Sequence, residues 1–219
     1  MAISGKLNRR TFLALAAVGT MALSSLALGA PTAGRDYKVL GTVQPTDSPG
    51  KVEVTEFFSY ACPHCSDLEP MFEAWIKRQP KDVAVKRVPV TFGRDQWTPL
   101  AKMYFALDIL GESDRLTPQV FNALHKEDRN FSDEKVQFDW IASKGIDKKK
   151  YQDVYNSFSM ASKLQRANQT SAAYRITGVP SVAVDGKYLT DVSMNGGFPA
   201  FFTTLDALVA KARAEKGKK

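Results

Sequence analysis

Cysteine and histidine are scarce, with two of each in 219 residues. So few cysteines exclude a fold stapled by several disulfides, and a chain of this length buries a core without them. A structural zinc site asks for four ligands. The chain offers Cys62, Cys65, His64 and His125, with His64 locked between the two cysteines, so a closed tetrahedral site is disfavoured. An internal repeat is also missing, as is any low-complexity segment beyond the leader. Aromatic residues are not interleaved with the basic runs. Lys148-Lys149-Lys150 and "KARAEKGKK" therefore read as solvated helix faces and a frayed end rather than as a nucleic-acid platform. What remains is an ordinary globular composition, 44% hydrophobic and 24% charged, expected to form one domain with room for a large insertion.

The first thirty residues differ from the rest. Lys6, Arg9 and Arg10 form a basic start, Thr11 to Ala30 carry no charge, and small residues crowd Ala27 to Gly34. That is the layout of a secretory signal peptide, with a cleavage site near Ala27-Leu28-Gly29 or nearer Ala33. The alternative is an uncleaved membrane anchor, although the run is only just long enough and is rich in Ala, Gly, Ser and Thr. "NRRTFLA" also resembles a twin-arginine export signal, with Asn8 where Ser or Thr is usual and Ala14 where Lys is usual. General secretion explains the arginines almost as well. Removal of the leader lowers the formal charge from +7 by three, to a mild +4. An exported protein works where disulfides persist, so the two cysteines are judged by their local setting.

"KVEVTEFFSY" (51–60) is rich in β-branched and aromatic residues and reads as a strand. Val52, Val54 and Phe58 fall on one face, Thr55 and Phe57 on the other, which suits the middle of a sheet. After Cys62 the period changes, and Leu68, Met71, Phe72, Trp75 and Ile76 make one helical stripe. Pro63 suits the first turn, Pro70 is expected to kink the helix and Pro80 to mark its end. "VAVKRVPVTF" (83–92) reads as a second strand in which Pro89 breaks the ladder or forces a bulge. Residues 97 to 175 are helical in pattern, with Thr117 and Asp147 as expected N-caps. Ser181 to Val184 and Lys187 to Thr190 flank Asp185-Gly186, a hairpin signal. "FPAFFTTLDALVAKARAEK" reads as a final amphipathic helix.

The cysteines sit in "FFSYACPHC" (57–65), at the junction of strand and helix. A structural disulfide across so short a loop constrains the unfolded chain very little. A helix N-terminus, by contrast, offers unpaired N–H groups and partial positive charge, which stabilise a thiolate. Cys62 at the open end is the expected nucleophile and Cys65, one turn along and partly buried, the resolving thiol. His64, as a cation or ring N–H donor, is expected to favour the Cys62 thiolate, against a plain role as exposed spacer. Glu56 shares a strand face with Val52 and Val54, where a carboxylate is costly unless protonated or paired. A cation on the next strand, Arg87, is one candidate partner. His125 receives no role.

"FFSYACPHC", the later "GVP" and the helical block between the two halves resemble the DsbA family of periplasmic thiol:disulfide interchange proteins, members of the thioredoxin-like superfamily. The resemblance covers nearly the whole mature chain. It implies an α/β thioredoxin-like fold with an inserted all-helical domain ahead of a cis-proline hairpin. The corresponding division is a signal peptide (1–33), a first half with the CPHC site (37–96), an inserted helical domain (97–165) and a second half (166–215). It implies a redox-active Cys62–Cys65 disulfide donated to exported proteins with free thiols, and reoxidation by a membrane quinone-linked DsbB-type partner. It also implies a monomer without metal or organic cofactor, a cis Val179–Pro180 bond beside the cysteines, and Glu56 as proton acceptor for Cys65. The resemblance also implies a Cys62 pKa near 4, as in the family's known members. At that value the part of the shift below ambient pH would be worth about 4 kcal/mol, or about 90 mV towards oxidising. The rival readings are a reductase or isomerase on the same fold, and a non-catalytic binding module with an inert disulfide.

Overall fold

The computed structural model describes residues 1–2 and 30–217. The expected leader lies largely outside the described residues. Among those described, no helix is long and apolar enough to cross a membrane.

The elements that build the site follow in chain order: β1 (Lys38–Val39), β2 (Val52–Phe58), α1 (Pro63–Lys77), β3 (Val83–Pro89), α2 (Thr98–Ile109), α3 (Ser113–His125), α4 (Glu134–Ser143), α5 (Lys148–Tyr155), α6 (Phe158–Ala173), β4 (Ser181–Val184), β5 (Tyr188–Asp191) and α7 (Phe198–Lys216). The sheet order is β1-β5-β4-β2-β3. Among the described strands only β2 and β3 run parallel, joined by the α1 crossover, and the other pairs are antiparallel. Every residue of β2 is buried, as a strand covered on both faces should be. Val52 and Val54 pack with Leu68, Phe72 and Trp75 of α1 and with Phe201, Leu205 and Leu208 of α7. On the opposite face Phe57 meets Tyr174, with ring centroids 5.0 Å apart. Phe58, at the end of β2, joins a second core made mostly by α2 to α5.

Pro70 lies inside α1, and the helix ends at Lys77 with Pro80 just beyond it, as the stop signal implied. Several other expectations change here. Pro89 neither breaks nor bulges the ladder, because the register runs unbroken from Val52↔Val83 to Phe58↔Pro89. The reason is geometric. Val90 N–H donates to Phe58 O at 2.7 Å. In a parallel ladder alternate residues face the partner, so the buried Pro89 turns its donorless nitrogen away from β2, where the ladder requires no bond. Thr117 is not an N-cap. It lies fully buried within α3 and turns its hydroxyl to Tyr60 instead. Asp147 does cap α5, accepting from Lys150 N–H at 2.7 Å. The hairpin turn closes with Lys187 N–H to Val184 O at 3.0 Å, and β5 starts at Tyr188 rather than Lys187. Gly186 has φ +67°, and a Cβ there would collide with the Gln44 carbonyl. Helix α6 runs across residues 165 and 166, so one continuous helix joins the expected insertion to the expected second half.

Candidate active site

β2 ends at Phe58 and α1 starts at Pro63, so four residues carry the chain from the sheet into the helix. Pro63 suits this start because its missing N–H is one that a first helical turn leaves unpaired in any case. Cys62 is the N-cap of α1, and its carbonyl accepts from the N–H groups of Cys65 and Ser66, both at 3.1 Å. Both cysteines are free thiols, Cys62 at 8% and Cys65 at 1% exposure. Thus Cys62 is at the surface of the core and Cys65 beneath it, deeper than the partial burial expected.

The two sulfurs are pushed in opposite directions. Cys62 is pulled down to about 6, foremost by the Cys65 thiol donating to its sulfur. Burial opposes this, while the backbone N–H groups of Cys65 and His64 and then the charge of His64 add to it. Cys65 is pushed far up, by burial first and then by its bond and repulsion with Cys62, with Glu56 adding. The pair therefore holds one anion and one proton. The shift is smaller than the near-4 value the family resemblance implied. The charge of His64 favours the thiolate, as expected, but ranks last among the causes: its side chain is 82% exposed and its Nδ1 stands 3.9 Å from Asp67 Oδ2. The amide of His64 contributes ahead of its ring.

Val179–Pro180 is cis and lies against the pair: Cys62 Sγ is 3.3 Å from the Val179 carbonyl oxygen. A protonated Cys62 donates to that oxygen. Once ionised, the sulfur becomes an acceptor for Cys65 instead, so the contact belongs to the thiol form.

Beneath the site, Glu56 faces Arg87 across the β2–β3 ladder. Arg87 Nε lies 2.9 Å from Glu56 Oε2, and Nη2 donates to Glu69 Oε2 at 2.9 Å and to Glu73 Oε1 at 3.0 Å. One buried cation thus serves three carboxyl groups. Burial drives both Glu56 and Glu69 upward, and Arg87 only partly offsets it. Glu69 Oε1 and Glu56 Oε2 are both buried without a hydrogen-bond partner, so the cluster is incompletely satisfied. The cation partner considered for Glu56 is therefore in place. Glu69 and Glu73 were missed from the sequence, although Glu69 follows Cys65 by four residues and so shares its helix face. His125, left without a role, places Nε2 2.8 Å from the Tyr60 carbonyl oxygen.

The chain's relatives have matching chemistry. Residues 53–206 match the family model described as a DSBA-like thioredoxin domain. A curated thiol:disulfide interchange protein DsbA from Burkholderia cepacia is 42% identical over 195 residues, covering 89% of this chain and 92% of that protein. Its counterpart from Pseudomonas aeruginosa is 37% identical over 187 residues, 85% and 88% of the two chains. The crystal structure of Pseudomonas aeruginosa DsbA superposes with a TM-score of 0.81 at 37% identity, covering 86% of this chain and 97% of that one.

Proposed function

Because this chain belongs to the DsbA family of thiol:disulfide interchange proteins, we propose that it oxidises the thiols of exported proteins in the periplasm. The observation that carries the reading is the opposed pair, a Cys62 sulfur lowered to about 6 above a Cys65 thiol that keeps its proton. In the oxidised form Cys62 and Cys65 share a disulfide. A substrate thiolate attacks Cys62 Sγ, the S–S bond breaks, and Cys65 leaves and takes up a proton. A second substrate thiolate then attacks the substrate sulfur of the mixed disulfide. Cys62 departs as a stabilised thiolate, and the substrate keeps the new disulfide. Two electrons pass from substrate to protein.

Pro63 sets the helix start that makes Cys62 a good leaving group. His64 lends its amide and a smaller charge effect. Val179 and Pro180 present backbone to an extended substrate. Glu56, tied to Arg87 and held up by burial, keeps Cys65 a proton donor to Cys62 rather than serving as a free base. A membrane quinone-linked DsbB-type partner reoxidises the pair, and the protein acts as a monomer after removal of leader 1–33. Residues 37–96 and 166–215 form the catalytic unit, with 97–165 as the insertion.

Redox titration against glutathione tests the direction of electron flow. A potential above that of thioredoxin, about −270 mV, is expected; a value at or below it would favour the reductase reading. Mixing the oxidised protein with a reduced, unfolded protein should consume substrate thiols. Failure to do so would leave only a binding module.

A further inference from the structure

We propose that one stripe of α3, Thr117, Phe121 and His125, is a positioning element for Cys62, acting through its grip on Tyr60. These residues are spaced four apart and so share a helix face. Each takes a different part of Tyr60. The Thr117 hydroxyl lies 2.8 Å from the Tyr60 hydroxyl. The Phe121 ring meets the Tyr60 ring edge-on, with centroids 5.1 Å apart and planes at 78°. His125 Nε2 lies 2.8 Å from the Tyr60 carbonyl oxygen. A carbonyl only accepts, so Nε2 carries the hydrogen, and it does so in both the neutral tautomer and the cation. The ring of His125 is itself stacked on Phe121 at 25°.

Tyr60 stands in the turn between β2 and α1, two residues before the reacting sulfur. That turn has its own closure, Cys62 N–H to Ser59 O at 3.0 Å and Ala61 N–H to Ser59 Oγ at 3.2 Å. These local bonds fix the shape of the turn. The α3 stripe fixes where the turn sits relative to the helical block. Without it, the turn and the amides of His64 and Cys65 that face the Cys62 sulfur lose their common anchor.

The inference rests on Cys62 being the reacting sulfur, and a Cys62→Ser variant of the full protein checks that separately through loss of thiol exchange. In His125→Ala the Cys62 ionisation constant is expected to fall by roughly threefold to tenfold, the range that one net hydrogen bond commands. His125→Gln, whose amide can donate to the same carbonyl, should restore it to within about twofold of the parent. A folded His125→Ala protein with an unchanged Cys62 midpoint would overturn the proposal, as would failure of the Gln variant to restore it. Should His125→Ala not fold, Tyr60→Phe and Thr117→Val sever the hydroxyl tie of the same stripe. A similar rise in midpoint supports the proposal there, and an unchanged midpoint refutes it. Thermal unfolding alone does not decide, because a purely structural contact would move it too.

Discussion

Replacing Cys65 by alanine isolates the interaction that most lowers Cys62. The Cys62 sulfur faces one thiol donor and two amide donors, and the thiol has the largest effect. A hydrogen bond to a charged acceptor is worth about 1.5–3 kcal/mol, and one pKa unit corresponds to about 1.4 kcal/mol. Starting from about 6, the midpoint in Cys65→Ala should therefore rise by about one to two units. Cys65→Ser keeps a donor and should stay near the parent value. The assay is the ultraviolet absorbance of the thiolate followed against pH. A single alkylation rate at neutral pH would mislead. The alanine variant has less thiolate, but that thiolate is intrinsically more nucleophilic, with a Brønsted slope of about 0.4–0.5, so the two changes largely cancel. An alanine variant still titrating with the parent would refute the reasoning, because the amides and the helix would then be holding the anion alone. The same titration bounds the redox effect. A midpoint near 6 lies about one unit below neutral pH, worth about 1.4 kcal/mol or ~30 mV towards oxidising. That is about a third of what a midpoint near 4 would supply.

Other substitutions probe the surroundings. His64→Ala should raise the Cys62 midpoint by less than Cys65→Ala does, since it leaves the amide donor in place; the same absorbance titration compares them. Glu69 has its folded pKa raised, so its stabilising effect is complete below the unfolded pKa of about 4.5 and fades as pH rises towards the folded value. Glu69→Gln should thus stabilise by roughly 1–3 kcal/mol at pH 8 and by little at pH 4, read from urea unfolding at both. Trp75 is fully buried, stacks on Phe72 at 5.6 Å and donates to Asp206 at 2.6 Å. Trp75→Ala should cost about 3–5 kcal/mol in the same assay. Asp147→Ala removes the cap of α5 and should cost about 1 kcal/mol.

The local parts of the site were legible in the sequence because their causes are local. The change of period after Cys62, the proline at the first helical position and the Asp185-Gly186 turn each act through neighbouring backbone. What was not legible depends on distant chain segments. Thr117 has the sequence of a cap but the position of a core residue, because Tyr60, 57 residues earlier, supplies its partner. Glu56 suggested a cation, and Arg87 meets it through strand register. That the same guanidinium also serves Glu69 and Glu73 depends on how α1 lies across the ladder, which no spacing within one segment reveals. Strand β1, two residues long, carries too short a pattern to detect. Pro89 was expected to break the ladder or force a bulge, yet the register runs through it unbroken, because which way its nitrogen turns depends on which side of β3 has a neighbour.

That last point bears on how the molecule keeps its solubility. The outermost strand of a sheet is a template on which a loose chain or a second copy can zip itself down. At the end of β3 nearest the cysteines the template is closed, since Pro89 has no hydrogen to share and is itself buried, whereas Val83 to Val88 are half-buried. An incoming strand finds no pairing there, so the border of the sheet resists being extended at its end beside the cysteines.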